Sequence, residues 1–69
     1  MPVARLMRLT KRDGEIVVQV RWKGLSPQED TFKPIKNVYE DAPQMFKKLI
    51  ERKSAPQGLV QAVRTMLAI

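Results

Sequence analysis

The sequence predicts an α+β fold, a curled three-stranded antiparallel sheet closed at one end by a helix, with a second helix behind it. Three observations carry this. Apolar residues repeat at period two up to about residue 33 and at helical spacing after residue 41. An Asp-Gly pair, Asp13-Gly14, divides the early strand-like stretch in two. Two later segments begin with the same grammar, a capping side chain, then Ala-Pro-Gln, then an apolar stripe.

The strand signal is clearest at Glu15–Lys23. Ile16, Val18, Val20 and Trp22 share one face, Glu15, Gln19 and Arg21 the other, and Val17 breaks the alternation. β-branched residues suit a pleated surface. Val3–Lys11 alternates more weakly through Val3, Leu6, Met7 and Leu9. The Asp-Gly turn makes these two stretches an antiparallel hairpin. Gly24 to Gln28 reads as a loop, and Asp30–Lys33 as a short third strand ended by Pro34, which has no N–H to donate. Helices follow at about 42–53 and 55–68. Asp41 is read as the first N-cap with Gln44 closing a capping box, and Ser54 with Gln57 repeats the arrangement. Met45, Phe46, Leu49 and Ile50 form one stripe, and Leu59, Val60, Val63, Met66 and Leu67 the next. Gly58, in the first turn of the second helix, weakens it by up to about 1 kcal/mol against Ala.

The chain has 69 residues, the size of one small domain. A 43% hydrophobic share is too high for a disordered tail. Without a cysteine or a histidine, disulfides, thiolate or imidazole metal sites and the commonest general base are all ruled out. The seven carboxylates pair with no nucleophile, and three glycines make no phosphate-cradling loop. A non-enzymatic module without metal or cofactor is therefore expected. No apolar run approaches the roughly 18 residues that span a bilayer, so no membrane role is expected. Thirteen Lys and Arg against seven acids, net +6, favour an anionic partner such as nucleic acid or an acidic protein surface.

Val20-Arg21-Trp22-Lys23-Gly24-Leu25, Glu29-Asp30-Thr31-Phe32-Lys33-Pro34 and Asn37-Val38 together resemble the chromodomain signature. That signature is a strand ending Trp-Lys-Gly, a polar loop of fixed length, Thr-Trp-Glu-Pro and Asn-Leu. Gly14 and the Pro-containing helix entry at Asp41–Met45 also fall where the family has them, so the resemblance covers about residues 3–53. It implies an SH3-like chromo barrel over 3–53, the core of a single domain, 1–69, to which the helical pattern of residues 54–69 adds a further helix. It also implies a nuclear module that binds a histone tail or another chromatin protein. Many family members hold methyl-lysine in an aromatic cage and bind the tail as an added strand. Here Trp22 matches the second cage aromatic, Leu25 the third, about Met1 the first, and Glu29 the flanking acid. Only one wall of three is aromatic, and Lys33 stands where the family has Glu. A single exposed Trp attracts a cation by about 0.5–1 kcal/mol, too little to discriminate methyl states. Tyr39-Glu40-Asp41-Ala42-Pro43 and the loss of cage aromatics are most similar to the chromodomain at the C-terminus of gypsy-class retrotransposon integrases. Ile69, shortly after the last helix, suits that terminal position.

Competing expectations accompany these assignments. Trp22 continues the Ile16–Val18–Val20 face, so it serves either as core or as a ligand-contacting wall. Arg5, Arg8, Lys11 and Arg12, with Lys47 and Lys48 on the first helix, are either a solvated surface or phosphate contacts to DNA or RNA, as in a non-specific nucleic-acid-binding domain of an integrase. The apolar arc of the last helix, with Leu59, Val63, Met66 and Leu67, either covers the domain's own core or forms a homodimer interface. The dimerising C-terminal helices of chromo-shadow domains are the related precedent.

Overall fold

The computed structural model describes residues 2–69. Strands β1 (Val3–Arg12), β2 (Glu15–Trp22) and β3 (Thr31–Pro34) form one antiparallel sheet in the order β1-β2-β3. A 3-10 turn at Pro27–Glu29 links β2 to β3. Three helices follow, α1 (Ile35–Asp41), α2 (Pro43–Ile50) and α3 (Gln57–Leu67). The α+β class and the three-stranded sheet are as the sequence predicts.

The hairpin turn rests on Asp13 and Gly14, with φ of 50° and 80°. Positive φ at both central residues matches the right-handed twist of the flanking strands. The weak alternation of β1 has a structural cause. Register shifts between Val3 and Arg5, and between Leu6 and Arg8, leave Ala4 and Met7 each without a partner on β2. Each extra residue bends the strand and flips the side-chain order, so Leu6 and Leu9, three apart, both reach the core. Val17, which breaks the β2 alternation, is buried on the opposite sheet face. Its register partners there are Thr10 and Pro34. Phe32 stands on the same face beneath the Arg12 guanidinium, 4.3 Å from the ring centroid.

The core lies between the inner sheet face and the helices. Leu6, Leu9, Val18 and Val20 meet Ile35 and Val38 of α1, Phe46, Leu49 and Ile50 of α2, and Val60 and Val63 of α3 in one buried cluster. The Tyr39 ring meets Phe46 edge-on, centroids 5.7 Å apart and planes at 64°. The radius of gyration is 11.4 Å, against about 11 Å for a compact chain of this length. α3 therefore lies against the body.

Helix α1 is absent from the sequence-based reading. It is joined to α2 by Ala42 alone, whose N–H donates to Val38 O at 2.8 Å and whose carbonyl accepts from Phe46 N–H at 3.0 Å. The expected caps need correction as a result. Asp41 is the last residue of α1, and Ala42 occupies the N-cap of α2 with no side-chain hydrogen bond. Pro56, not Ser54, precedes α3, and Gln57 donates from Nε2 to Ala55 O at 3.3 Å rather than closing a box. Both helices are shorter than expected, and after α2 the chain turns at Glu51–Ala55.

Candidate functional site

The end of β2 and the loop after it shape a hollow. Leu25 N–H donates to Trp22 O at 3.2 Å, closing a tight turn through Lys23 and Gly24. Gly24 has φ of +84°, a conformation that an L side chain strains to adopt. This turn brings Leu25 back beside the indole. The 3-10 turn then returns the chain, with Glu29 N–H on Ser26 O at 2.9 Å and Asp30 N–H on Pro27 O at 3.2 Å. Trp22, Leu25, Glu29 and Thr31 line the resulting open hollow. Three of the sequence-derived cage positions thus converge. Met1, the fourth, lies outside the described residues.

The indole is held in place. Its Nε1–H donates to Thr31 Oγ1 at 2.8 Å. Trp22 also packs against the core and pairs with Val3 in the β1–β2 register. It is therefore structural on one side, while its other side lines the open hollow. Glu29 is exposed, with no ion pair or side-chain hydrogen bond among the described residues, so its charge faces the solvent beside the hollow.

Behind the hollow, the Asp30 side chain, 5% exposed, anchors the loop to the outer sheet face. Arg21 donates from Nε to Asp30 Oδ1 at 2.8 Å and from Nη2 to Oδ2 at 2.9 Å. Gln19 Nε2 donates to Oδ2 at 2.8 Å, and Arg8 Nε to Gln19 Oε1 at 3.0 Å. The hydrogen bonds from Arg21 hold the Asp30 carboxyl below the ordinary carboxylate range, aided by Gln19 and opposed by desolvation. The same pairing raises the Arg21 pKa.

The basic residues separate into groups. Arg5 of β1 and Lys48 of α2 line one hollow with Ala4, Leu6, Met45 and Arg52. Arg8 and Arg12 are engaged on the outer sheet face, by Gln19 and Phe32. Lys11 is exposed near the hairpin end, and Lys47 is exposed on α2. Arg52 has a role no sequence signal marked. Its Nη1 donates to Met7 O at 3.1 Å and its Nη2 to Leu6 O at 3.0 Å, which satisfies carbonyls on the free edge of β1.

The last helix divides as follows. Val63 is 0% exposed and belongs to the domain's own core, so it offers no surface to a partner. Leu59 and Leu67 are half-buried against that core. Met66, 66% exposed, is the large apolar side chain that the helix presents to solvent.

A curled three-stranded sheet with a helix across it is an SH3-like small barrel, a class of binding module. The family model of the Chromo (CHRromatin Organisation MOdifier) domain matches residues 1–52, and the chain belongs to that family. Chromo domains are chromatin-binding modules, some of them methyl-lysine readers. A search of curated proteins finds no match, and a search of solved structures finds none. Helix α3 lies beyond the matched segment.

Proposed function

We propose that this domain is a chromatin-targeting module that binds a histone tail, or a tail-like segment of another chromatin protein, in extended form. The tail lies between the N-terminal segment and residues 29–33, with one side chain entering the hollow of Trp22, Leu25, Glu29 and Thr31. The convergence of these four residues, with the indole locked by Thr31, carries the reading. Leu25 supplies an apolar wall without a π-face, so the pocket is a degenerate cage. Trp22 and Glu29 attract a cation, and preference for a methylated lysine is weak. The resemblance at Tyr39–Pro43 supports a setting in the nucleus, as part of a retrotransposon integrase. We treat residues 1–69 as one domain, because Val60 and Val63 complete the core of the matched segment.

The test is an NMR titration of the labelled domain with methylated and unmethylated histone-tail peptides. Resonances of Trp22, Leu25, Glu29 and Thr31 are expected to move together, and Trp22→Ala to abolish any methyl preference. Peptides that shift none of these residues would overturn the proposal.

A second reading rests on the hollow between β1 and α2, where Arg5, Lys48 and Arg52 converge with no acidic residue in the lining. Duplex DNA lying there would contact about three phosphates. Its affinity would then fall about 40-fold for a fourfold rise in salt. Binding that ignores salt, or survives the double substitution of Arg5 and Lys48 by Gln, would rule it out.

A further inference from the structure

We propose that Lys33 sets the specificity of the Trp22 hollow by acting as a resident cation on the indole. This rests on the reading of the hollow as a tail-binding site. Lys33 lies on β3 opposite Val18 and reaches along the inner face, so that its Nζ stands 5.3 Å from the Trp22 ring centroid. That is within the range at which a ring quadrupole attracts an ammonium. The surroundings are largely apolar. Lys33 and Trp22 line a small cavity with Val3, Leu6, Val20 and Val38. Asp41 borders the same cavity yet forms no ion pair with Lys33, so the indole is the favourable partner its ammonium has found. Partial desolvation strengthens the contact.

Among the described residues, Trp22 is the one common to the two cavities that flank it. The open hollow has Leu25, Glu29 and Thr31 but not Lys33, and the inner cavity has Lys33 but none of those three. The indole stands between them as a wall. A tail ammonium docking from the open side meets a ring that already carries a positive charge on the other. The two charges would stand roughly 9–10 Å apart, and their repulsion lowers the affinity for a cation about two- to tenfold. Lys33 thus turns the hollow against quaternary ammonium groups. The ligand class it favours is an extended tail held by its main chain and by Glu29, read without strong dependence on methylation. Removing the lysine charge releases the ring.

Tetramethylammonium chloride serves as the probe, titrated into the full chain and its Lys33→Met and Lys33→Glu variants and followed by the Trp22 indole N–H resonance. Affinity is expected to rise about two- to tenfold in Lys33→Met and further in Lys33→Glu. The same affinity in all three proteins would overturn the proposal. An independent readout is the Lys33 ε-methylene proton shift. Ring current is expected to displace it in the wild type, and Trp22→Leu to restore the ordinary value. An undisplaced shift in the wild type would also sink the idea. Tail peptides that bind no version of the protein would instead bring down the tail-binding reading, while the small-ion titration still decides the role of Lys33.

Discussion

Replacing Val63 by Ala tests whether α3 is structural. Val63 is 0% exposed in the cluster that joins the sheet to all three helices. The change removes two buried methyl groups, worth about 0.8 kcal/mol each by transfer. The residual cavity adds to this, for a total of about 2–3 kcal/mol. A domain of this size has roughly 3–10 kcal/mol in all. At about 4–8 °C per kcal/mol, the melting temperature should fall by roughly 8–24 °C. Thermal and urea denaturation followed by circular dichroism measure it. Met66→Ala, at the 66% exposed position of the same helix, is the matched control and should change stability by less than about 0.5 kcal/mol. A Val63→Ala protein that melts with the wild type, or an equal loss in the two variants, would mean that α3 is not part of the core. A loss at Met66 that grows with protein concentration would indicate self-association through α3 instead.

Three further outcomes are expected. Gly24 has open space where a Cβ would stand. Gly24→Ala therefore costs only the left-handed backbone, about 1–2 kcal/mol in a urea melt, and should move the Leu25 resonances with it. Asp30 has a lowered folded-state pKa, so its stabilising effect is complete above the ordinary carboxylate value and is lost as pH falls through the lowered one. The stability difference between wild type and Asp30→Asn should accordingly shrink in acid denaturation as pH drops below about 4, and a gap that widens would contradict the pairing. Arg52→Met removes two hydrogen bonds from the β1 edge. It should cost about 1–3 kcal/mol and speed hydrogen exchange around Leu6–Arg8 first, which exchange mass spectrometry can localise.

The sheet was legible because its signals are short-range. Asp13-Gly14 dictates the hairpin by backbone preference alone, and the Ile16–Trp22 alternation marks a face within one strand. Helix α1 was not legible. It has seven residues and buries only Ile35 and Val38, and two apolar positions three apart are too few to establish a period. Without α1 the pattern places the next helix start at Asp41, which in fact ends α1. At the site, the convergence of Trp22, Leu25 and Glu29 came from the spacing of the family signature, not from periodicity. The contact of Lys33 with Trp22 is hidden in the sequence for a geometric reason. Lys33 pairs with Val18, four residues from Trp22 along β2, and the contact depends on a long side chain running along the inner face.

The same physics links the fold to the site. A three-stranded sheet this short has too little inner surface to stabilise itself, so the helices must cover it. Trp22 and Lys33 sit at the end of that covered face, where burial fades into solvent. A half-buried indole there is held by Thr31 and the core, yet keeps one side on the open hollow. The chain uses this position twice, with Thr31 and Leu25 on the open side and Lys33 on the covered side. In the proposed arrangement, a base in place of the family's acid at residue 33 acts on recognition and stability together. Lys33→Glu should loosen the covered side, where a carboxylate loses the ring as a partner, while making the open side more attractive to a cation.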